Sequence, residues 1–88
     1  MADLTLSVGR VYRGKRIRNC HGLVNDRVIT WMDAGSVQFD SPSVAAGRQY
    51  PVVSKDKFLA WADRDVTDEL PDGSWADYPP VKLYGEGV

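Results

Sequence analysis

Cys20 and His21 are the one cysteine and the one histidine of this 88-residue chain, and they are adjacent. A thiol and an imidazole support nucleophilic catalysis when they share a hydrogen bond. Successive side chains of a strand point to opposite faces, so neighbours in a strand cannot make that bond. We therefore interpret Cys20 as a small packed hydrophobe and His21 as a hydrogen-bonding residue opposite Thr30, with no catalytic role for either.

Metal and phosphate chemistry find equally little support in the sequence. A transition-metal site takes three or four ligands, and carboxylates are the only candidates besides Cys20 and His21. Residues 63–74, DRDVTDELPDGS, resemble an acidic calcium loop, but Asp68 stands where glycine is required and Ser74 where a bidentate glutamate is required. The sequence contains no phosphate-cradling glycine motif and no G-x-S-x-G elbow. These observations predict a protein without enzymatic activity, cofactor or metal.

A basic run without any acid extends from Arg10 to Arg18. Such a run is either the solvated side of a hairpin or, with an aromatic residue to stack on bases, a nucleic-acid surface. The candidate nucleic-acid-binding residues are Arg10, Tyr12, Arg13, Lys15, Arg16 and Arg18. The net charge of −1 and the pI near 5.7 disfavour nucleic acid, and we expect Arg18 to pair with Asp33.

An acidic segment with aromatic residues lies in the second half of the chain. Six acids between Asp63 and Asp77 are opposed only by Arg64, which leaves a local net charge of −5. Exposed aromatic side chains ringed by charge are typical anchors of protein interfaces. The candidate protein-binding residues are Trp75, Tyr78, Asp68, Glu69, Asp72 and Asp77. Two alternatives stay open: the aromatics fold back onto their own domain, or the acids lie on the basic run of the same molecule.

The candidate binding residues must be positioned by secondary structure. The sequence of the first half of the chain predicts short strands. Branched and aromatic residues favour strands over 8–12, 16–24, 27–32, 36–40 and 49–53. A two-residue turn at Asn25 and Asp26 would pair the second strand with the third. Alternation is imperfect there, so we also expect a bulge near Gly22.

One helix is predicted over about 55–63. Ser54 is a good N-cap, Val53 and Phe58 have the spacing of a hydrophobic staple, and Phe58 and Trp61 fall on one apolar face. This helix would cover an open end of the sheet. We expect residues 1–69 to form a small β domain and residues 70–88 an acidic, aromatic and partly irregular tail.

The length and composition of the chain fit one small domain, whose stability depends on its apolar core. Hydrophobic residues make up 43% and charged residues 26%, which excludes a wholly disordered chain. A single cysteine permits no intrachain disulfide, and no apolar run reaches the roughly 20 residues that span a membrane. The opening residues lack the pattern of a secretory signal. We therefore expect a cytoplasmic protein without a membrane partner and of undetermined oligomeric state.

The pattern VGRVYRGKRIRN, NDRVITW and YPVVSKDKFLAWA, within residues 8–62, resembles small phage- and prophage-encoded proteins. In that family an SH3-like barrel opens with a Val-Gly-x-x-Tyr strand and ends with a Phe-x-x-Trp-Ala helix. The resemblance implies a small five-stranded SH3-like barrel, or a rolled antiparallel sheet, capped by the helix. It also implies a mobile-element accessory protein that binds and inhibits a host factor. The alternatives are a nucleic-acid-binding barrel and, more weakly, a structural or assembly component of a phage.

Overall fold

The computed structural model describes residues 4–45, 47–70 and 75–80. The described chain is mainly β, with one helix and one 3₁₀ turn. In chain order the elements are β1 (Val11–Gly14), β2 (Asn19–Cys20), β3 (Leu23–Val24), β4 (Arg27–Met32), β5 (Ser36–Asp40), β6 (Val52–Ser54), α1 (Lys55–Trp61), β7 (Ala62–Asp65) and the 3₁₀ turn (Thr67–Glu69).

Five strands form one antiparallel sheet in the order β6-β5-β4-β1-β7. The helix α1 runs directly from one edge strand, β6, to the other, β7. Within the described residues β6 and β7 do not pair with each other, so the sheet is not closed into a barrel. The expected mainly β fold with a covering helix is confirmed at that level.

The segment 16–24 is not one strand of the main sheet, as the sequence had suggested. It folds into a separate hairpin in which β2 pairs with β3, and Cys20 lies opposite Leu23. The two turn residues, His21 and Gly22, both have positive φ, 54° and 87°. A two-residue type I′ turn requires this conformation at both positions. His21 therefore lies exposed in a turn, not opposite Thr30.

The hairpin of β4 and β5 matches the predicted strand bounds, and its register shifts between Ile29 and Trp31. The expected pair of Arg18 with Asp33 does not form. Asp33 Oδ1 instead accepts hydrogen bonds from the backbone N–H groups of Gly35 and Ser36, at 2.9 and 2.7 Å. The acid therefore orders the turn between the two strands.

The helix begins as the sequence predicts but ends earlier. Ser54 caps it, because its Oγ accepts the backbone N–H of Lys57 at 3.1 Å. After Trp61 the chain turns extended at Ala62, with ψ of 139°, and continues as β7. The predicted last turn of the helix is thus a strand that pairs with β1.

The core lies between the sheet and the helix. Its buried members are Tyr12, Ile29, Val37, Phe39, Phe58 and Ala62. The ring of Phe58 lies at the centre, with its centroid 5.6 Å from that of Tyr12, 5.9 Å from that of Phe39 and 5.2 Å from that of Trp61. Burial of such rings contributes most of the stabilisation available to so small a domain. No helix in the described ranges is long and apolar enough to cross a bilayer.

Candidate functional site

The structure divides the basic run at Gly14, and both cations of the first half pair with acids of the same molecule. Arg13 in β1 and Asp26, just before β4, have side chains that are 5% and 0% exposed. Arg13 donates from Nε and Nη2 to the two carboxylate oxygens of Asp26, each at 2.9 Å. The hydrogen bond to Asp26 raises the pKa of Arg13 although burial opposes it. A side chain held in this way is not available to a phosphate backbone.

Tyr12 is fully buried and cannot stack on a base. Its hydroxyl donates to the carbonyl oxygen of Thr5 at 2.9 Å and accepts the backbone N–H of Ser7 at 2.8 Å. Burial raises the pKa of this phenol, and the hydrogen bond from Ser7 partly offsets the rise. The tyrosine therefore anchors the N-terminal segment to the core.

The side chain of Arg10 interacts with two acids from the second half of the chain. Its Nε lies 2.8 Å from a carboxylate oxygen of Asp65, and its Nη2 lies 3.7 Å from one of Asp68. The hydrogen bond to Asp65 raises the pKa of Arg10. Part of the acidic segment thus lies against the basic run of the same molecule, which is one of the alternatives that the sequence left open.

The second half of the basic run is exposed and borders a cavity of about 460 Å³. The residues lining this basic cavity are Lys15, Arg16, Arg18, Asn25, Ala60 and Trp61. The three cations are carried by the loop between β1 and β2, and the remaining wall comes from the end of α1 and from Asn25. This is the part of the predicted nucleic-acid set that the structure leaves at the surface.

Arg27 is a functional candidate that the sequence analysis missed. Its guanidinium carbon lies 4.3 Å from the ring centroid of Phe39 and 4.0 Å from that of Trp61. Burial lowers the pKa of Arg27, and no carboxylate in the described ranges lies within ion-pair distance of it. Cation–π contact with two rings compensates part of that desolvation. The alternation of side chains along a strand could have identified it, because this alternation puts Arg27 on the same face of β4 as the core residue Ile29.

The predicted protein-binding set is also divided. Asp68 interacts with Arg10, and Glu69 pairs with Arg64. Asp72 lies outside the described residues. Trp75, Asp77 and Tyr78 lie together on a short segment that pairs with β3: Val24 N–H donates to Ala76 at 2.8 Å, and Tyr78 N–H donates to Gly22 at 2.9 Å. The hairpin of β2 and β3 therefore holds these aromatic residues in place.

Trp75 is part of the wall of a second concavity, of about 550 Å³, which we call the aromatic groove. Its apolar lining comes from Leu23 in the hairpin, the loop after β5 and Trp75 itself. Asp40 and Arg48 add one charge of each sign. The lining residues are Leu23, Asp40, Ser41, Pro42, Val44, Ala45, Gly47, Arg48, Tyr50 and Trp75.

In the described ranges, Cys20 and His21 do not combine with a third side chain into a nucleophile–base arrangement. Cys20 is partly buried in β2 and His21 is exposed in the turn. No cluster of three or more histidine, cysteine, aspartate or glutamate side chains suited to a metal ion occurs among residues 4–45, 47–70 and 75–80. No protein-family model, no curated protein and no solved structure matches this chain.

Proposed function

We propose that this protein is a non-enzymatic binding module that holds another protein in the aromatic groove. The observation that carries the proposal is the joint placement of Trp75, Tyr50 and Leu23 around one concavity of about 550 Å³. Large aromatic anchors beside a pocket are the usual centres of protein interfaces. The groove is built from three separated parts of the chain, which only the folded protein brings together.

The composition of the groove indicates the chemistry of its partner. Its apolar wall suits an apolar or aromatic side chain, while Asp40 and Arg48 can pair with a charge of either sign beside that side chain. Tyr78 and Asp77 lie on the same hydrogen-bonded segment as Trp75 and are exposed, so they extend the surface. An apolar anchor flanked by charged residues is therefore the expected binding epitope.

A role as a mobile-element accessory protein that inhibits a host factor, in the cytoplasm, is part of the same proposal. It is supported by the resemblance of residues 8–62 to phage and prophage proteins and by the use of a single cysteine. The strand order, with a helix between the two edge strands, supports the SH3-like arrangement that this resemblance implies.

A paired capture experiment tests the groove. Trp75→Ala removes its anchor, whereas Trp31→Ala removes an indole that is 48% exposed elsewhere, on β4. We expect partners retained by the wild type and by Trp31→Ala, and a loss of at least about tenfold in affinity for Trp75→Ala, as for an interface hot spot. Circular dichroism checks that both variants fold. Equal recovery of the same partners by both variants overturns the assignment of the groove.

A further inference from the structure

We infer that the basic cavity is a binding site for phosphate groups. All of its charged lining residues are cations, and no acid is among them. The ion pairs in the described ranges use Arg10, Arg13 and Arg64, so Lys15, Arg16 and Arg18 have no carboxylate within 4.0 Å there. In a molecule with a net charge of −1, three cations without such a partner around one cavity indicate an anionic ligand.

The loop that carries these cations is held in place by hydrogen bonds. Lys15 N–H donates to the carbonyl oxygen of Trp61 at 2.9 Å, which fixes the start of the loop on the helix end. Asn25 fixes the rest: its Oδ1 accepts Arg18 N–H at 2.8 Å, and its Nδ2 donates to the carbonyl oxygen of Arg16 at 3.3 Å. A loop ordered before binding loses less entropy when a ligand arrives.

A fourth cation stands behind the wall of the cavity. Arg27 packs on the ring of Trp61 at 4.0 Å, and burial in this environment lowers its pKa. A charge in a poorly solvated position is screened less than one at the surface. Arg27 therefore adds positive potential to the cavity without lining it.

The contacts around Trp61 disfavour stacking of a nucleic-acid base on its ring. Arg27 lies over the ring, and Gly14 lies so close that a Cβ there would come within 2.5 Å of Nε1 and 2.6 Å of Cε2. Tyr12, the other aromatic of the basic run, is fully buried. The cavity therefore offers charge and hydrogen-bond donors, with little free aromatic surface.

Phosphate fits this donor set better than carboxylate. Three cations supply more N–H donors than the two oxygens of one carboxylate can accept, whereas a phosphate carries more oxygens and up to two negative charges. Two guanidinium groups also match phosphate geometry in a bidentate manner. The volume of about 460 Å³ exceeds that of one phosphate and accommodates a short phosphate chain.

The test uses the full chain and three probes: tripolyphosphate, a single-stranded oligothymidine and polyglutamate. Amide shifts in NMR spectra locate each probe, and titration gives its affinity at about 50 mM salt, where electrostatic binding is strong. The site variant is Lys15→Ala with Arg16→Ala and Arg18→Ala. The control, Arg48→Ala with Lys55→Ala and Lys57→Ala, removes the same charge from other surfaces. Arg16→Glu alone provides a second, less invasive site variant.

We expect tripolyphosphate to shift the amides of residues 15–18 and the indole N–H of Trp61, and the site variant to weaken binding at least about tenfold, as for lost charge-assisted contacts. Binding of tripolyphosphate alone identifies free phosphates as the ligand source. Binding of oligothymidine as well, with a log–log salt slope of about −2 for three phosphates, identifies nucleic acid.

Three results would overturn the inference: no shift near Trp61 with either phosphate probe, equal weakening by the site and control variants, or polyglutamate binding as tightly as the phosphate probes. Trp75→Ala separates this site from the proposed protein interface, because it leaves phosphate binding unchanged if the two sites are independent. Failure of one proposal therefore does not imply failure of the other.

Discussion

The two halves of the basic run differ in the partners of their cations and in where those cations lie. Arg10 and Arg13 pair with acids, one of them deep in the protein, whereas Lys15, Arg16 and Arg18 lie on an ordered loop around a cavity. The division falls at Gly14, where β1 ends. A run of like charge in a sequence is therefore not one surface, because each cation is placed by its own backbone element and by its partners.

Of the two halves of the basic run, the first should contribute more to the free energy of unfolding. Arg13→Met leaves Asp26 buried without its counter-charge, and we expect a loss of about 3–5 kcal/mol in the free energy of unfolding, as for a broken buried pair. Arg16→Met removes an exposed cation and should change that free energy by no more than about 0.5 kcal/mol. Urea denaturation followed by circular dichroism measures both.

The double variant Arg13→Met with Asp26→Leu sharpens this contrast. It replaces the pair by apolar side chains and should recover much of the loss, since a packed apolar pair can match a buried ion pair. Equal losses for Arg13→Met and Arg16→Met would contradict the division of the run.

A substitution at Gly14, the boundary between the two halves, tests how tightly the chain packs there against Trp61. Gly14→Ala places a methyl group within 2.5–2.9 Å of three atoms of the Trp61 indole. We expect a loss of about 1–3 kcal/mol from overpacking, with a changed tryptophan fluorescence spectrum. Gly35→Ala is the matched control, because its Cβ would meet no atom within 4 Å. A stable Gly14→Ala with an unchanged spectrum would show that the contact is easily relaxed.

A smaller effect, which depends on pH, is expected for the ion pair of Arg10 with Asp65. Burial raises the pKa of Asp65, but hydrogen bonds from Arg10 and Thr67 outweigh it and hold that pKa below its ordinary value. A lowered folded-state pKa adds stability above the unfolded pKa of about 3.9, and this stability is lost as the pH falls through the folded value. Asp65→Asn should therefore cost about 1 kcal/mol near neutral pH, after discounting for exposure.

The cost of Asp65→Asn should shrink as the pH falls below the unfolded-state pKa and vanish below the folded-state pKa of Asp65, where both states of the wild type bind the proton. Denaturation curves at several pH values measure this dependence. Asp63→Asn, at an exposed residue of the same strand, serves as the control. A cost that is the same at all pH values would show that Asp65 acts through its hydrogen-bond geometry and not its charge.

Local patterns predicted the elements whose signals are contained within a few residues. The bounds of β4 and β5 followed from their branched and aromatic residues, and the start of α1 followed from the Ser54 cap. The sequence also indicated Trp75 and Tyr78 as candidate binding residues. Their pairing with β3 was not, because a hydrogen bond between distant segments has no local signal.

The errors arose where distant partners decide the structure. The predicted helix continued to Asp63 because no glycine or proline marks its end, but the free edge of β1 recruits Ala62–Asp65 as a strand. The burial of Arg13 depends on Asp26, which the sequence placed in a turn. The His21-Gly22 turn lacks the favoured Asn-Gly pair, so the hairpin of β2 and β3 was read as one strand.

The position of β7 has a consequence for synthesis on the ribosome. Among the strands of the described ranges, β1 is made first, yet its outer neighbour β7 is made after all the others and after α1. Until residues 62–65 emerge, the backbone N–H and C=O groups on that side of β1 remain unpaired, and Arg10 lacks Asp65. An unpaired strand edge can bind other extended chains. This edge of the nascent protein is therefore open to mispairing until β7 leaves the exit tunnel.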